Sequence, residues 1–148
     1  MFAYLTDSVE LFHTADGTAY VALMIDGHCE NWPIRSTRFR TWFRHQYCKA
    51  AGSPTSAGAT RSALDLLEAR AQFDASRQDI YVRTAEHDGS TFLDLADELW
   101  RAVKIASDGW EFIPRPPARF RRAADMLPLP VPVTDGSIEV LSPAAPRG

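Results

Sequence analysis

"NWPIRSTRFRTWFRHQYCK", residues 31–49, is where the chain turns from strand to helix. Phe39, Trp42, Phe43, Tyr47 and Ala50 recur at helical spacing and form one apolar stripe. Ser36 or Thr37 supplies an N-cap, and Gly52 follows Ala51 as a stop, so the spacing predicts a helix ending at Ala51. On that helix the aromatics face a core. Arg38, Arg40, Arg44, His45 and Lys49 are left on the remaining arc.

Strand signals lie on either side. Asp-Gly pairs occur at 16–17, 26–27, 88–89, 108–109 and 135–136, and such pairs supply the positive φ of tight hairpin turns. "VELFHT", "TAYVALMI" and "HCENWPI" are separated by the first two and read as a three-stranded meander. "DIYVRTAEH", "STFLDLA", "LWRAVKIA" and "WEFI" are organised by the third and fourth into a second meander. In "LWRAVKIA", Leu99, Arg101, Val103 and Ile105 alternate with Trp100, Ala102, Lys104 and Ala106. A second helix is expected from Ser53-Pro54, a cap followed by proline at the first helical position, to about Phe73, with Leu64, Leu67 and Ala71 on its apolar side.

The expected fold is therefore α+β: two antiparallel β-meanders flanking a central pair of α-helices. From Pro114 the composition changes. "PRPPARFRRAADMLPLPVPV" holds six of the ten prolines and is expected to run extended over the surface, with Phe120 anchoring it to a sheet. Residues 1–125 are read as one domain and 126–148 as a proline-rich tail or linker.

The 148 residues suffice for a real core, and a 45% hydrophobic, 24% charged composition is globular. The net charge of −3 matters less than its distribution. Residues 35–49 and 115–122 carry nine basic side chains and no acid, leaving seven of the 16 basic residues among all 19 acids elsewhere. Neither a secretory leader nor a run long enough to span a bilayer is recognisable. A cytoplasmic protein with free thiols at Cys29 and Cys48 and no membrane partner is the expectation.

Catalytic patterns are scarce. No glycine-rich phosphate loop of the Walker type occurs, and no C-x-x-C or H-x-x-x-H provides metal-ligand spacing. No cofactor, metal site or catalytic residue is therefore assigned. Cys48, beside Lys49 and near His45, has no further partner for nucleophilic chemistry. "AEHDGSTFLDLADE" could bring Glu86, Asp94 and Asp97 together for a metal-dependent nuclease. However, Asp94 and Asp97 are three apart and would leave a strand on opposite faces. What remains is arginine, whose planar fork suits phosphate. Arg35, Arg38, Arg40, Arg44 and Lys49 form one candidate nucleic-acid-binding half, and Arg119, Arg121 and Arg122 a second. An interaction module docking its basic face on an acidic protein surface is the alternative.

The segments "ELFHTADGTAYVAL", "WPIRSTRFRTWFRHQY", "RTAEHDGSTFLDLADELWRAVKIASDGWEF" and "RFRRAADMLPLPVPV", in this order over residues 9–135, carry a resemblance. They resemble the region that precedes the ATPase motor in primase/helicase-like (ATP-binding) proteins of bacterial phages and mobile elements. The resemblance implies a non-catalytic accessory domain in DNA replication, with an ATPase motor or replication protein as partner. The motor's own phosphate loop is not in this sequence, nor is the D-x-D pair of primase-polymerases.

Overall fold

The computed structural model describes residues 9–133 and has the α+β architecture. Strands β1 (Glu10–His13), β2 (Ala19–Ile25) and β3 (His28–Pro33) make an antiparallel meander in the order β1-β2-β3. Helices α1 (Thr37–Ala51) and α2 (Ala57–Phe73) follow. The chain then forms β4 (Ile80–Tyr81), β5 (Thr84–His87), β6 (Ser90–Asp94), β7 (Ala102–Ala106), β8 (Gly109–Ile113) and β9 (Arg119–Phe120). The second antiparallel sheet has the order β5-β6-β7-β8, while β4 and β9 pair in parallel as a two-stranded ribbon.

Local chemistry explains the turns. Asp26 and Gly27 both take positive φ, as do Asp88 and Gly89, which is the mirror-image turn that matches strand twist in two-residue hairpins. The pair at 135–136 lies outside the described residues. Helix α1 has the expected ends. The Ser36 hydroxyl accepts the Phe39 N–H at 3.1 Å, and Gly52, at φ 74°, donates its N–H to the Cys48 carbonyl.

Three layers of packing join these elements. The helices cover one face of the first sheet, where Val21, Leu23, Ile34, Phe39, Phe43 and Leu67 are buried together, with Trp42 and Tyr47 against them. Both faces of β2 are covered, so Ala19 to Leu23 are buried without alternation. Its far face holds Phe12 stacked on Tyr20 at 5.3 Å between ring centroids, with Ile80 of β4 packed alongside. Tyr81 and Phe120, from the same ribbon, pack on Ala85, Phe92 and Ala102 of the second sheet. The β4–β9 ribbon is thus the seam between the two meanders, and Phe120 anchors the proline-rich segment as expected.

Three boundaries differ from the sequence reading. Helix α2 starts at Ala57, not at Ser53-Pro54, because the Ser56 hydroxyl takes the Ala59 N–H at 3.1 Å and its carbonyl takes the Thr60 N–H. "DIYVRTAEH" is two strands in two sheets: Arg83 at φ 73° breaks it, so β4 joins β9 and β5 joins β6. "LWRAVKIA" becomes strand only from Ala102, since Trp100, at φ 55°, folds back with its N–H on the Asp97 carbonyl. After β9, Arg83 Nη2 donates to the Leu127 carbonyl at 2.7 Å and the Leu129 N–H to the Leu95 carbonyl at 2.8 Å. "SIEVLSPAAPRG" lies outside the described residues. Among the described residues no helix is long and apolar enough to cross a membrane.

Candidate nucleic-acid interface

The two basic stretches have different fates. In the second, two of the three arginines assigned to phosphate work internally. Arg122 makes a two-point ion pair with buried Asp94, also donates to the Asp97 carbonyl, and lies 4.0 Å over the Trp100 ring. Arg119 is shared by Gln78, Asn31 and Glu10 and stacks over Phe12 at 4.5 Å. These guanidiniums fasten the β4–β9 seam to the sheets on either side. Both guanidiniums are engaged within the fold, Arg122 by the buried Asp94 and Arg119 by Gln78, Asn31 and the exposed Glu10, so neither presents an uncommitted charge to phosphate. Arg121 is exposed and near Tyr20, whose phenol burial pushes above its ordinary value while Arg121 opposes that shift. The two basic halves come together where Arg38 and Arg122 line one cleft, but Glu30, Asp97 and Glu98 share that lining and balance their charge.

In the first stretch, Arg35 bridges to α2. It donates to Asp65 at 2.5 Å and twice to Glu68, at 2.9 and 3.0 Å. Those bonds, Glu68 first and Asp65 second, hold its guanidinium above its ordinary pKa, and they hold the Glu68 carboxyl below its own. Its charge is spent in tying the start of α1 to α2. Arg38 reaches Glu30 at 3.2 Å and sits 4.7 Å over the Trp32 ring, with 64% of its side chain still exposed. Glu30 itself is buried and also receives the Trp32 indole N–H at 3.0 Å and contacts His28 at 2.6 Å. Arg35 is thus engaged by two acids of α2 although its side chain is about half exposed, and Arg38 is half committed.

Arg40 and Arg44 remain. Four residues apart on α1, they stand on one helix face and, with Thr41, line a cleft of about 510 Å³. Ala57, Thr60 and Arg61 from the first turns of α2 form its other wall, with Leu64 and the edge of Arg35. Among the described residues Arg40, Arg44 and Arg61 make no ion pair, and no acid lines the cleft. Helix α2 has no acid in its first turn, so its positive dipole end is uncompensated beside these three guanidiniums. Lys49 is exposed in the last turn of α1, outside the cleft lining.

Arg61 was not legible as a partner of Arg40 and Arg44. Its only sequence signal is its position beside the Thr60-Leu64-Leu67-Ala71 stripe, which puts it on the rim of the α1–α2 contact.

The carboxylates of the nuclease reading diverge. Asp94 is buried against Arg122, Asp97 takes the Arg101 side chain at 2.6 Å, and Glu86 projects from the opposite face of the second sheet. No group of three His, Cys, Asp or Glu suited to a metal ion occurs among the described residues. Cys29 and Cys48 are free thiols, and burial pushes the Cys29 thiol above its ordinary pKa. The chain matches no family model, no curated protein and no solved structure, so its site is read on its own geometry.

Proposed function

We propose that the chain is a non-catalytic nucleic-acid-binding module that serves a DNA replication protein of a phage or mobile element. It grips phosphate through the cleft between α1 and α2. The observation that carries this reading is the convergence of Arg40, Arg44 and Arg61, without ion-pair partners among the described residues, on the start of α2. Thr41 adds a hydroxyl at the same mouth, whereas the buried Thr60 hydroxyl donates to the Ser56 carbonyl at 3.0 Å. No aromatic ring lines the cleft: Phe39 and Phe43 are buried and Trp42 and Tyr47 pack on the core, so base stacking there is unsupported. Contact is with backbone alone, which makes binding tolerant of sequence and sensitive to salt.

Fluorescence anisotropy with labelled single- and double-stranded oligonucleotides at low salt tests the reading. Binding to at least one form is expected, abolished by Arg40→Glu with Arg44→Glu. An absence of affinity for both forms at low salt would remove it.

A further inference from the structure

The second sheet carries a surface that the arginine cleft does not use. Strand β8 is its terminal strand, and four of its five residues are exposed. Trp110 and Phe112 lie on one face with their rings edge to face at 5.5 Å, and each keeps more than a third of its area in solvent. Ile105 and Val103 continue that face on β7, opposite Trp110 and Phe112 respectively.

The same two aromatics hold the open hydrogen-bonding positions. The tight turn between Ala106 and Gly109 makes that couple a hydrogen-bonded pair, so Lys104↔Glu111 and Ala102↔Ile113 are also bonded pairs. The N–H and C=O groups of Trp110 and Phe112 therefore point away from β7, and no backbone partner for them occurs among the described residues. Two other edges are blunted. At β5 the Thr84 N–H is taken by the Val82 carbonyl at 2.8 Å, and at β1 His13 bonds through both backbone groups to Ser76 and Gln78.

We propose that β8 is a self-pairing edge, joining two copies of this chain antiparallel about a two-fold axis at Glu111. A two-fold contact must be self-complementary, and this register is. Trp110 of one copy exchanges both backbone bonds with Phe112 of the other, so four aromatic rings meet on one face. On the other face Glu111 meets its own copy, a like-charge contact, but each is flanked by Lys104 across the β7–β8 ladder. Across the joint the charges then run Lys104, Glu111, Glu111, Lys104, so each carboxylate keeps a cation on its far side. The competing head-to-tail arrangement, β8 on β5, would set the aromatics beside Thr84 and Glu86, a poor match that also needs the committed Thr84 N–H.

Sedimentation equilibrium of the full chain from micromolar to millimolar concentration tests this. A monomer–dimer equilibrium is expected. Trp110→Lys and Phe112→Lys, both at exposed positions, should each weaken it at least roughly tenfold, since lysine on an edge opposes strand addition. Glu111→Thr removes the like-charge contact and should tighten the dimer roughly two- to five-fold. This variant tests the register even where a lysine variant fails to fold. A monomer at every concentration, assemblies that grow beyond two, or a dimer indifferent to all three substitutions would overturn the proposal. So would a dimer lost on Thr84→Lys, or protection of Trp110 by an oligonucleotide with no self-association.

Discussion

Arg122 and Asp94, 28 residues apart in the chain, meet in a two-point ion pair: Nε to Oδ2 at 3.0 Å and Nη2 to Oδ1 at 2.6 Å. Both side chains are largely withdrawn from water, at 13% and 2% exposure. Removing one partner strands the other charge inside the protein, which is far costlier than the net worth of the pair. Arg122→Ala or Asp94→Ala should therefore cost about 3–5 kcal/mol of unfolding free energy. Urea denaturation followed by circular dichroism measures it. Changes under about 1 kcal/mol in both variants would mean the pair is not made.

Acid should loosen the same region. For Asp97, burial raises the carboxyl pKa, but the Arg101 backbone N–H and guanidinium, with Arg122 beyond, outweigh burial and leave it lowered. Glu68 is lowered by Arg35. A carboxyl with a lowered folded-state pKa contributes stability above its unfolded value and loses that contribution as pH falls through the folded value. Thermal unfolding should thus be flat near neutrality and fall below about pH 4, where unfolded carboxyls titrate. Asp97→Asn should be less stable at neutral pH and shallower in its acid decline. An identical slope in the variant would contradict the assignment.

The cap of α2 is tested by two serines. Ser56→Ala removes the hydroxyl that holds the Ala59 N–H and should cost about 1 kcal/mol. Ser53→Ala should change stability by less than about 0.5 kcal/mol, as an exposed surface substitution. The reverse order in chemical denaturation would put the helix start back at Ser53-Pro54.

Arginines should separate by their partners. Arg61→Ala should leave stability within about 0.5 kcal/mol and weaken oligonucleotide binding, because it removes an exposed charge with no ion-pair partner among the described residues. Arg119→Ala should do the opposite, loosening the seam without changing affinity. Parallel denaturation and anisotropy series on the two variants distinguish them.

Much of the scaffold was legible because its signals are local. Ser36 and Gly52 bound α1 within its own turns, and the four Asp-Gly pairs within 16–109 each mark a hairpin. The break inside "DIYVRTAEH" was not legible, since neither glycine nor proline stands at Val82-Arg83; the demands of two separate sheets set it. The site was harder still. Whether an arginine is available depends on acids far along the chain: Glu68 lies 33 residues from Arg35, and Glu10 lies 109 from Arg119. Charge runs in sequence show where cations are, not which have been neutralised.

The central claim is that three arginines of one cleft hold nucleic-acid phosphate. Its most direct test is the salt dependence of oligonucleotide binding, wild type against Arg40→Glu/Arg44→Glu/Arg61→Glu. If all three engage a single strand, the slope of log K against log salt should be about −2 in the wild type, at about −0.7 per contact. Affinity should then fall by roughly 20-fold between about 50 and 200 mM salt. The triple variant should lose both the affinity and the slope while keeping its unfolding midpoint. Binding with an unchanged slope in the folded variant would contradict the account.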